Sequence, residues 1–200
     1  MKILFLHTNF PGQFKYVSAH FADIGHDVKF ICQTNYGNSI KGVDCLLVKT
    51  NTKTAKEGEN AERKKSSQAL TREIYRGAFS SLSKKGWIPD IVISHSGWGC
   101  GFYVKEIWPN TKLISYLEWW FNPKSDVYSY DPSNKYLGIN FNSIKKHWAR
   151  NADISLELAS SDTVVSPTVW QKNQLPQIFK ENCQVISDGI DLKLFQAGFA

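Results

Sequence analysis

The feature that most constrains this fold is a short apolar run that leads into a histidine. In the run from Asp90 to Ser94, three β-branched residues follow one another without alternation. This pattern is typical of a strand that is buried on both faces of a parallel sheet. His95 falls where the strand would stop, and two glycines follow within the turn Ser96 to Gly99. The segment therefore predicts a parallel sheet with an imidazole at the carboxyl end of one strand.

The position of His95 has two interpretations. Ligands of doubly wound sheets collect just beyond the carboxyl ends of the strands, so a titratable imidazole there lies where a reacting group would. A histidine at this point could equally cap the next helix or pack against Trp98. Position alone does not decide between the two.

Strand and helix patterns alternate along the rest of the chain. Strands are predicted at residues 2–6, 27–32, 43–49, 111–117, 162–165 and 184–186. Apolar residues at helical spacing predict helices over residues 14–24, 70–82, 102–108 and 141–152, and another that starts at residues 166–168. This order predicts an α/β fold, a Rossmann-like open parallel sheet with helices on both faces.

Composition and charge exclude several classes of protein. No stretch is long and apolar enough to span a bilayer, and no signal-peptide cleavage site follows the amino terminus, so we expect a cytoplasmic protein. The four cysteines are scattered and include no CxxC pair, which indicates neither a zinc site nor a disulfide framework. The net charge of +6 favours an anionic partner. Nucleic acid is the weakest candidate, because the lysines are dispersed and no reading motif is present.

Two further segments carry polar residues that suggest ligand binding. Gly12, between the first strand and the first helix, could bring backbone N–H groups to a phosphate, although a tight turn at Pro11 explains it equally well. One glycine is not a GxGxxG, which also counts against a dehydrogenase-like nucleotide domain. Residues 118–121 place a carboxylate beside three aromatic rings, a mixture that suits sugars but is also common in cores and interfaces. Because Glu118 and His95 are predicted at the same sheet edge, we favour a sugar site.

Four blocks of sequence, in this order and spacing, resemble the amino-terminal domain of family 4-like GT-B glycosyltransferases. They are FLHTNFPGQF, HSGWG with ISYLEWWF, ARNADISLELASSDTVVSPTVWQKNQLP, and VISDGID. The resemblance implies that residues 1–191 form the acceptor-side domain, that residues 192–200 begin an interdomain linker, and that a carboxy-terminal nucleotide-sugar domain lies beyond this chain. It implies a retaining transferase that moves a sugar from a nucleotide sugar to a glycan or lipid-linked acceptor, without a metal or other cofactor.

The resemblance also implies roles for single residues. His95 matches the active-site histidine that faces the donor sugar, and Gly12 and Gln13 match the loop that faces the diphosphate and the sugar. The acceptor side or cleft would be formed by Glu118, Trp119, Arg150 and Asn151. Independently of the resemblance, the basic residues Lys145 and Lys146 predict that their helix contacts the inner face of an anionic membrane. The chain alone would not catalyse the transfer. The alternative to a transferase is a non-catalytic α/β module that binds an anionic glycan, a lipid head group or a nucleotide.

Overall fold

A single parallel sheet organises the part of the chain that the computed structural model describes, residues 1–49, 67–131, 133–134, 139–190 and 192. Its strands are β1 Lys2–Leu6, β2 Asp27–Cys32, β3 Val43–Leu47, β4 Ile91–His95, β5 Lys112–Tyr116, β6 Thr163–Ser166 and β7 Cys183–Val185. They are ordered β3-β2-β1-β4-β5-β6-β7, and every neighbouring pair is parallel. The predicted Rossmann-like open sheet is confirmed.

Helices connect the strands. They are α1 Lys15–Asp23, α2 Ser67–Lys84, α3 Val104–Ile107, α4 Phe141–Ser160, α5 Val169–Gln174 and α6 Gln177–Lys180. Two of the helix starts are fixed by side-chain caps: Asn140 accepts a hydrogen bond from the backbone N–H of Ser143 at 3.0 Å, and Thr168 accepts one from Gln171 at 3.1 Å. Such caps satisfy backbone donors that have no partner inside the helix.

Alternate residues of the strands point to opposite faces of the sheet, and both faces are covered. Leu4 and Leu6 of β1 pack with Tyr75 and other residues of α2 in one apolar cluster. Phe5 belongs to a second cluster on the other face, against which Phe21 of α1 packs. Helices therefore lie on both faces, as the sequence predicts.

Helix α4 differs from its predicted form. It continues to Ser160, and its buried residues are Asn151, Ile154, Glu157 and Leu158. Phe141 and Trp148 are apolar residues at the helical spacing that predicts this helix, yet they are 73% and 65% exposed. The helix packs through its carboxyl-terminal half, so the apolar pattern of its first half marks a solvent-facing surface instead of a core contact.

The strand order places a crevice at a known point of such sheets. From β1 the chain moves outward to β2 and β3, and it then returns to β4 on the other side of β1. The two strands are neighbours, with Leu6 opposite Ser94, so the residues that follow, His7 and His95, meet at the carboxyl edge. This reversal is the topological switch point, where doubly wound sheets bind ligands.

Two predicted segments lie outside the described residues. These are most of the charged segment at residues 50–67 and most of the predicted linker at residues 192–200. Among the helices that are described, none combines the length and the apolar character needed to cross a membrane.

Candidate active site

Two histidines meet at the switch point of the sheet. His95 is the last residue of β4 and His7 follows β1, and each is 5% exposed. Their ring centroids are 4.6 Å apart and the ring planes are nearly perpendicular, at 79°. Pairing of β1 with β4 therefore brings two imidazoles into contact at the edge where ligands bind.

His95 is held between two hydrogen-bond acceptors. Its Nδ1 lies 3.0 Å from the carbonyl oxygen of Ser96, and its Nε2 lies 3.2 Å from Oε2 of Glu118. A neutral imidazole donates only one hydrogen bond, whereas an imidazolium donates from both nitrogens. The hydrogen bond from His95 is also the main reason why the pKa of Glu118 is lowered, although partial burial of the carboxyl opposes this. His95 and Glu118 therefore form a hydrogen-bonded histidine–carboxylate pair.

Gln13 connects this pair to His7. Its Nε2 donates to Oε2 of Glu118 at 3.1 Å, and its side chain also forms a hydrogen bond with His7. Nδ1 of His7 accepts the backbone N–H of Asn9 at 2.8 Å, so the proton of the neutral ring is on Nε2. Burial, followed by the positive charge of His95, lowers the pKa of His7 to about 4. The buried ring of His7 thus favours its neutral form.

Gly12 approaches His7 too closely for a side chain. A Cβ at this position would lie 3.1 Å from ring atoms of His7, and the backbone has a φ of +50°. Both the close contact and the left-handed conformation favour glycine here. The residue that the sequence suggests as a phosphate-binding glycine therefore forms part of the wall beside His7.

Among the described residues, two cavities adjoin the His95–Glu118 pair. The smaller, of about 490 Å³, is lined by His7, Asn9, Gly12, Gln13, His95, Trp98 and Glu118. The larger, of about 660 Å³, adds Trp119, Phe121 and one face of α4, including Lys146, Arg150 and Asp153. The two cavities share His95, Trp98 and Glu118. The histidine–carboxylate pair consequently lies where the cavities meet.

Aromatic side chains form much of the wall of the larger cavity. Trp119 is 37% exposed and packs against Trp170, with 5.6 Å between ring centroids. The guanidinium of Arg150 lies 5.0 Å from the centroid of Phe121. Exposed aromatic faces next to polar groups suit the apolar faces and hydroxyl groups of sugars.

Asn151 and Arg150 are adjacent in sequence, but only Arg150 lines the larger cavity. The side-chain amide of Asn151 donates to the carbonyl oxygen of Phe121 at 2.8 Å and accepts the backbone N–H of Phe121 at 3.1 Å. Asn151 is buried and is not among the residues that line the larger cavity, whereas Arg150 is. The amide therefore fixes the backbone of Phe121 instead of facing a ligand.

A buried carboxyl group, that of Glu157, forms a hydrogen bond with the strand that carries His95. Glu157 of α4 is 1% exposed, accepts a hydrogen bond from Oγ of Ser94 at 2.8 Å and accepts another from the backbone of Gly101. Burial raises the pKa of Glu157 to about 7. Because Ser94 precedes His95, this contact attaches α4 directly to the strand that carries the histidine.

Sequence reasoning missed His7 and Asp153 as cavity residues. His7 follows β1 in the same way that His95 ends β4, so the rule that identified His95 would also have found His7. Asp153 lies three residues after Arg150 on α4, a spacing that places both on one face of a helix. The signal for Asp153 exists only once the orientation of the helix is known.

Comparison with known protein families gives one match. The family model described as the glycosyl transferase family 4 group matches residues 24–195. No curated protein sequence matches this chain.

Solved structures with the same fold are only distantly similar in sequence. The catalytic domain of starch synthase IV from Arabidopsis thaliana, bound to ADP and acarbose, is 12% identical with a TM-score of 0.57, covering 96% of this chain and 52% of that one. A sucrose-phosphate synthase structure from Thermosynechococcus elongatus is 12% identical with a TM-score of 0.57, and both chains are covered completely. The UDP-GlcNAc 2-epimerase of Methanocaldococcus jannaschii is 14% identical with a TM-score of 0.52, covering 92% of this chain and 45% of that one. This chain thus spans about half the length of the starch synthase domain and of the epimerase.

Proposed function

The chain belongs to the glycosyl transferase family 4 group, and from this membership we propose that it is the acceptor-side domain of a retaining glycosyltransferase. The complete protein would move a sugar from a nucleotide sugar to a glycan or lipid-linked acceptor. Residues 1–191 would form this domain, residues 192–200 would begin a linker, and a second domain would hold most of the nucleotide. The observation that carries the proposal is the His95–Glu118 pair at the junction of two cavities.

The smaller cavity suits the donor. A departing nucleoside diphosphate is stabilised by positive charge and hydrogen-bond donors that are already in place. The imidazole of His95 and the amide of Gln13 supply such donors, and Gly12 lies in the wall beside His7. The starch synthase domain of the same fold is bound to ADP and acarbose, which supports a nucleotide and a glycan as ligands.

The chemistry assigned to His95 is a hydrogen bond to the donor sugar, which would replace the contact of Nε2 with Glu118, and not general-base catalysis. Both ring nitrogens face acceptor oxygens, so the ring is placed to donate hydrogen bonds and not to take a proton. In a retaining transfer the bond between the anomeric carbon and the diphosphate oxygen breaks as the bond to the acceptor oxygen forms on the same face. The departing phosphate then takes the proton of the acceptor hydroxyl, so no protein base is required.

The test is acceptor-dependent release of nucleoside diphosphate from a panel of sugar nucleotides, using the protein with its second domain. We expect release by that protein and none by the 200-residue chain. His95→Ala should lower the rate by about 100-fold or more, because a donor aimed at developing charge is lost. His20→Ala, on the exposed surface of α1, is the matched control and should leave the rate unchanged.

The alternative is a non-catalytic module that binds an anionic glycan, a lipid head group or a nucleotide. Similar folds host different functions, so the fold does not choose between a transferase and such a module. If the two-domain protein releases nothing from any donor while the chain still binds glycan, the transferase proposal is wrong and the binding module replaces it.

A further inference from the structure

We propose that the acceptor carries an anionic group, a phosphate or a carboxylate, and that Lys146 and Arg150 bind this group in the larger cavity. The inference rests on the proposed function, because it names the chemical class of the acceptor. It goes beyond that function, since neither a glycan nor a lipid-linked acceptor needs to be charged at this point.

The first support is the balance of charge in the cavity. Its carboxylates already have partners: Asp153 forms an ion pair with Arg72, and Glu118 accepts hydrogen bonds from His95 and Gln13. Within the described residues, neither Lys146 nor Arg150 forms an ion pair with an acidic side chain. The cavity therefore presents two positive charges that the described part of the protein does not neutralise, and such a site attracts anions.

The second support is the placement of these cations. Lys146 and Arg150 are four residues apart on α4, so they are neighbours on one face of the helix. Both line the cavity, and so do the aromatic residues Trp119 and Phe121. A single anionic group bound on this face can therefore contact both cations while a sugar ring lies against the aromatic wall.

The third support is the contact between Arg150 and the aromatic wall of the cavity. Its guanidinium lies 5.0 Å from the ring centroid of Phe121, and Asn151 fixes the backbone of Phe121 through two hydrogen bonds. This contact places the cation beside the surface on which a sugar ring would lie. The planar guanidinium also matches the paired oxygens of a carboxylate or a phosphate.

The shape of the cavity relates the anionic group to the reaction. A volume of about 660 Å³ lies within the range of small-molecule sites. His95 and Glu118 belong to both cavities, so the reacting hydroxyl of the acceptor would lie beside them. The α4 wall, with Lys146 and Arg150, would bind the charged group on another part of the same sugar.

The test compares binding of glucose 6-phosphate, glucuronate and glucose to the protein by isothermal titration calorimetry. We expect each anionic sugar to bind about tenfold more tightly than glucose, and this preference to weaken as KCl is raised. The double variant Lys146→Gln with Arg150→Gln should abolish the preference. Lys84→Gln is the matched control, because Lys84 is an exposed lysine at the end of α2 that does not line the cavity, and it should retain the full preference.

A further arm distinguishes a soluble acceptor from a lipid head group with the same chemistry. The protein is mixed with vesicles of phosphatidic acid in phosphatidylcholine, and glucose 6-phosphate is then added as a competitor. If glucose 6-phosphate releases the protein from the vesicles, and this release depends on Arg150, the anionic group belongs to a lipid. If glucose 6-phosphate binds the cavity but the protein stays on the vesicles, the anionic group belongs to a soluble sugar.

Two results would overturn the inference. Equal affinity for glucose and for both anionic sugars would show that the cavity does not select an acceptor with an anionic group. A preference that persists in the double variant would show that the anion binds elsewhere. Neither result affects the release of nucleoside diphosphate, so failure here remains distinguishable from failure of the proposed transferase.

Discussion

Two buried side chains at the carboxyl edge of the sheet change the stability of the protein with pH in opposite directions. The pKa of His7 falls from 6.5 to about 4, so its neutral form is favoured in the folded state and stability rises as pH increases between these values. The pKa of Glu157 rises from 4.5 to about 7, so its protonated form is favoured and stability falls as pH increases between these values. From pH 4.5 to 6.5 the two effects oppose each other.

Replacing Glu157 by glutamine separates these effects. Glutamine can still accept hydrogen bonds from Ser94 and Gly101 but has no proton to lose. Between pH 4.5 and 7.5 we expect the free energy of unfolding of Glu157→Gln to rise relative to that of the wild type by on the order of 3 kcal/mol, since one pKa unit corresponds to about 1.4 kcal/mol. Urea denaturation at the two pH values measures this.

The control for that substitution is Glu106→Gln, at an exposed position on α3. Its stability curve should follow that of the wild type. If the free energy of unfolding changes with pH equally in Glu157→Gln and in the wild type, Glu157 does not bind an additional proton on folding.

At the scale of elements, the loop between β4 and α3 packs against α4 with no room for a side chain at Gly101. A Cβ there would lie 2.5 Å from Oε1 of Glu157 and 2.6 Å from Oγ of Ser94. We expect Gly101→Ala to destabilise the protein by about 1–3 kcal/mol, because buried groups must move apart. Thermal or urea unfolding checks this value.

Gly77→Ala provides the matched control for that change. Gly77 lies inside α2, and nothing is within 4 Å of a Cβ built at this position. Alanine should raise the free energy of unfolding by up to about 1 kcal/mol, because glycine is a poor helix former. Similar destabilisation by both substitutions would mean that the Gly101 contact has no special importance.

The strands could be predicted from sequence, whereas the packing of α4 could not. Runs such as residues 91–93 indicate burial on both sides without any tertiary information. In α4 the buried face includes the polar residues Asn151 and Glu157, which are satisfied by groups more than 25 residues away in the chain, at Phe121 and Ser94. An apolar periodicity cannot show such contacts, so it does not distinguish the exposed aromatic residues of α4 from residues that pack on the sheet.

The same reasoning applies to the candidate site. Placing His95 and Glu118 at one sheet edge needed only the rule that parallel strands end together, and their side chains are 3.2 Å apart. The relation of Gln13 to both Glu118 and His7 depends on side-chain directions, which no motif specifies. Roles in catalysis for these residues remain predictions that the kinetic experiment tests.

At the scale of the whole molecule, the net charge of +6 is combined with an exposed aromatic surface on one helix. Phe141 and Trp148 of α4 are 73% and 65% exposed, and Lys145 lies between them in sequence. Exposed aromatic rings beside basic side chains are typical of surfaces that lie on anionic lipid. We therefore propose that the protein contacts the inner face of the cytoplasmic membrane through this part of α4.

Flotation with phosphatidylglycerol vesicles tests this orientation. Because apolar burial and electrostatic attraction both contribute to such binding, Phe141→Ser combined with Trp148→Ser should reduce the bound fraction several-fold, and high salt should reduce it further. Ile178→Ser, which removes a 76% exposed side chain from α6, is the matched control and should bind as the wild type does. If the double variant also floats like the wild type, the first half of α4 is not the membrane-facing surface.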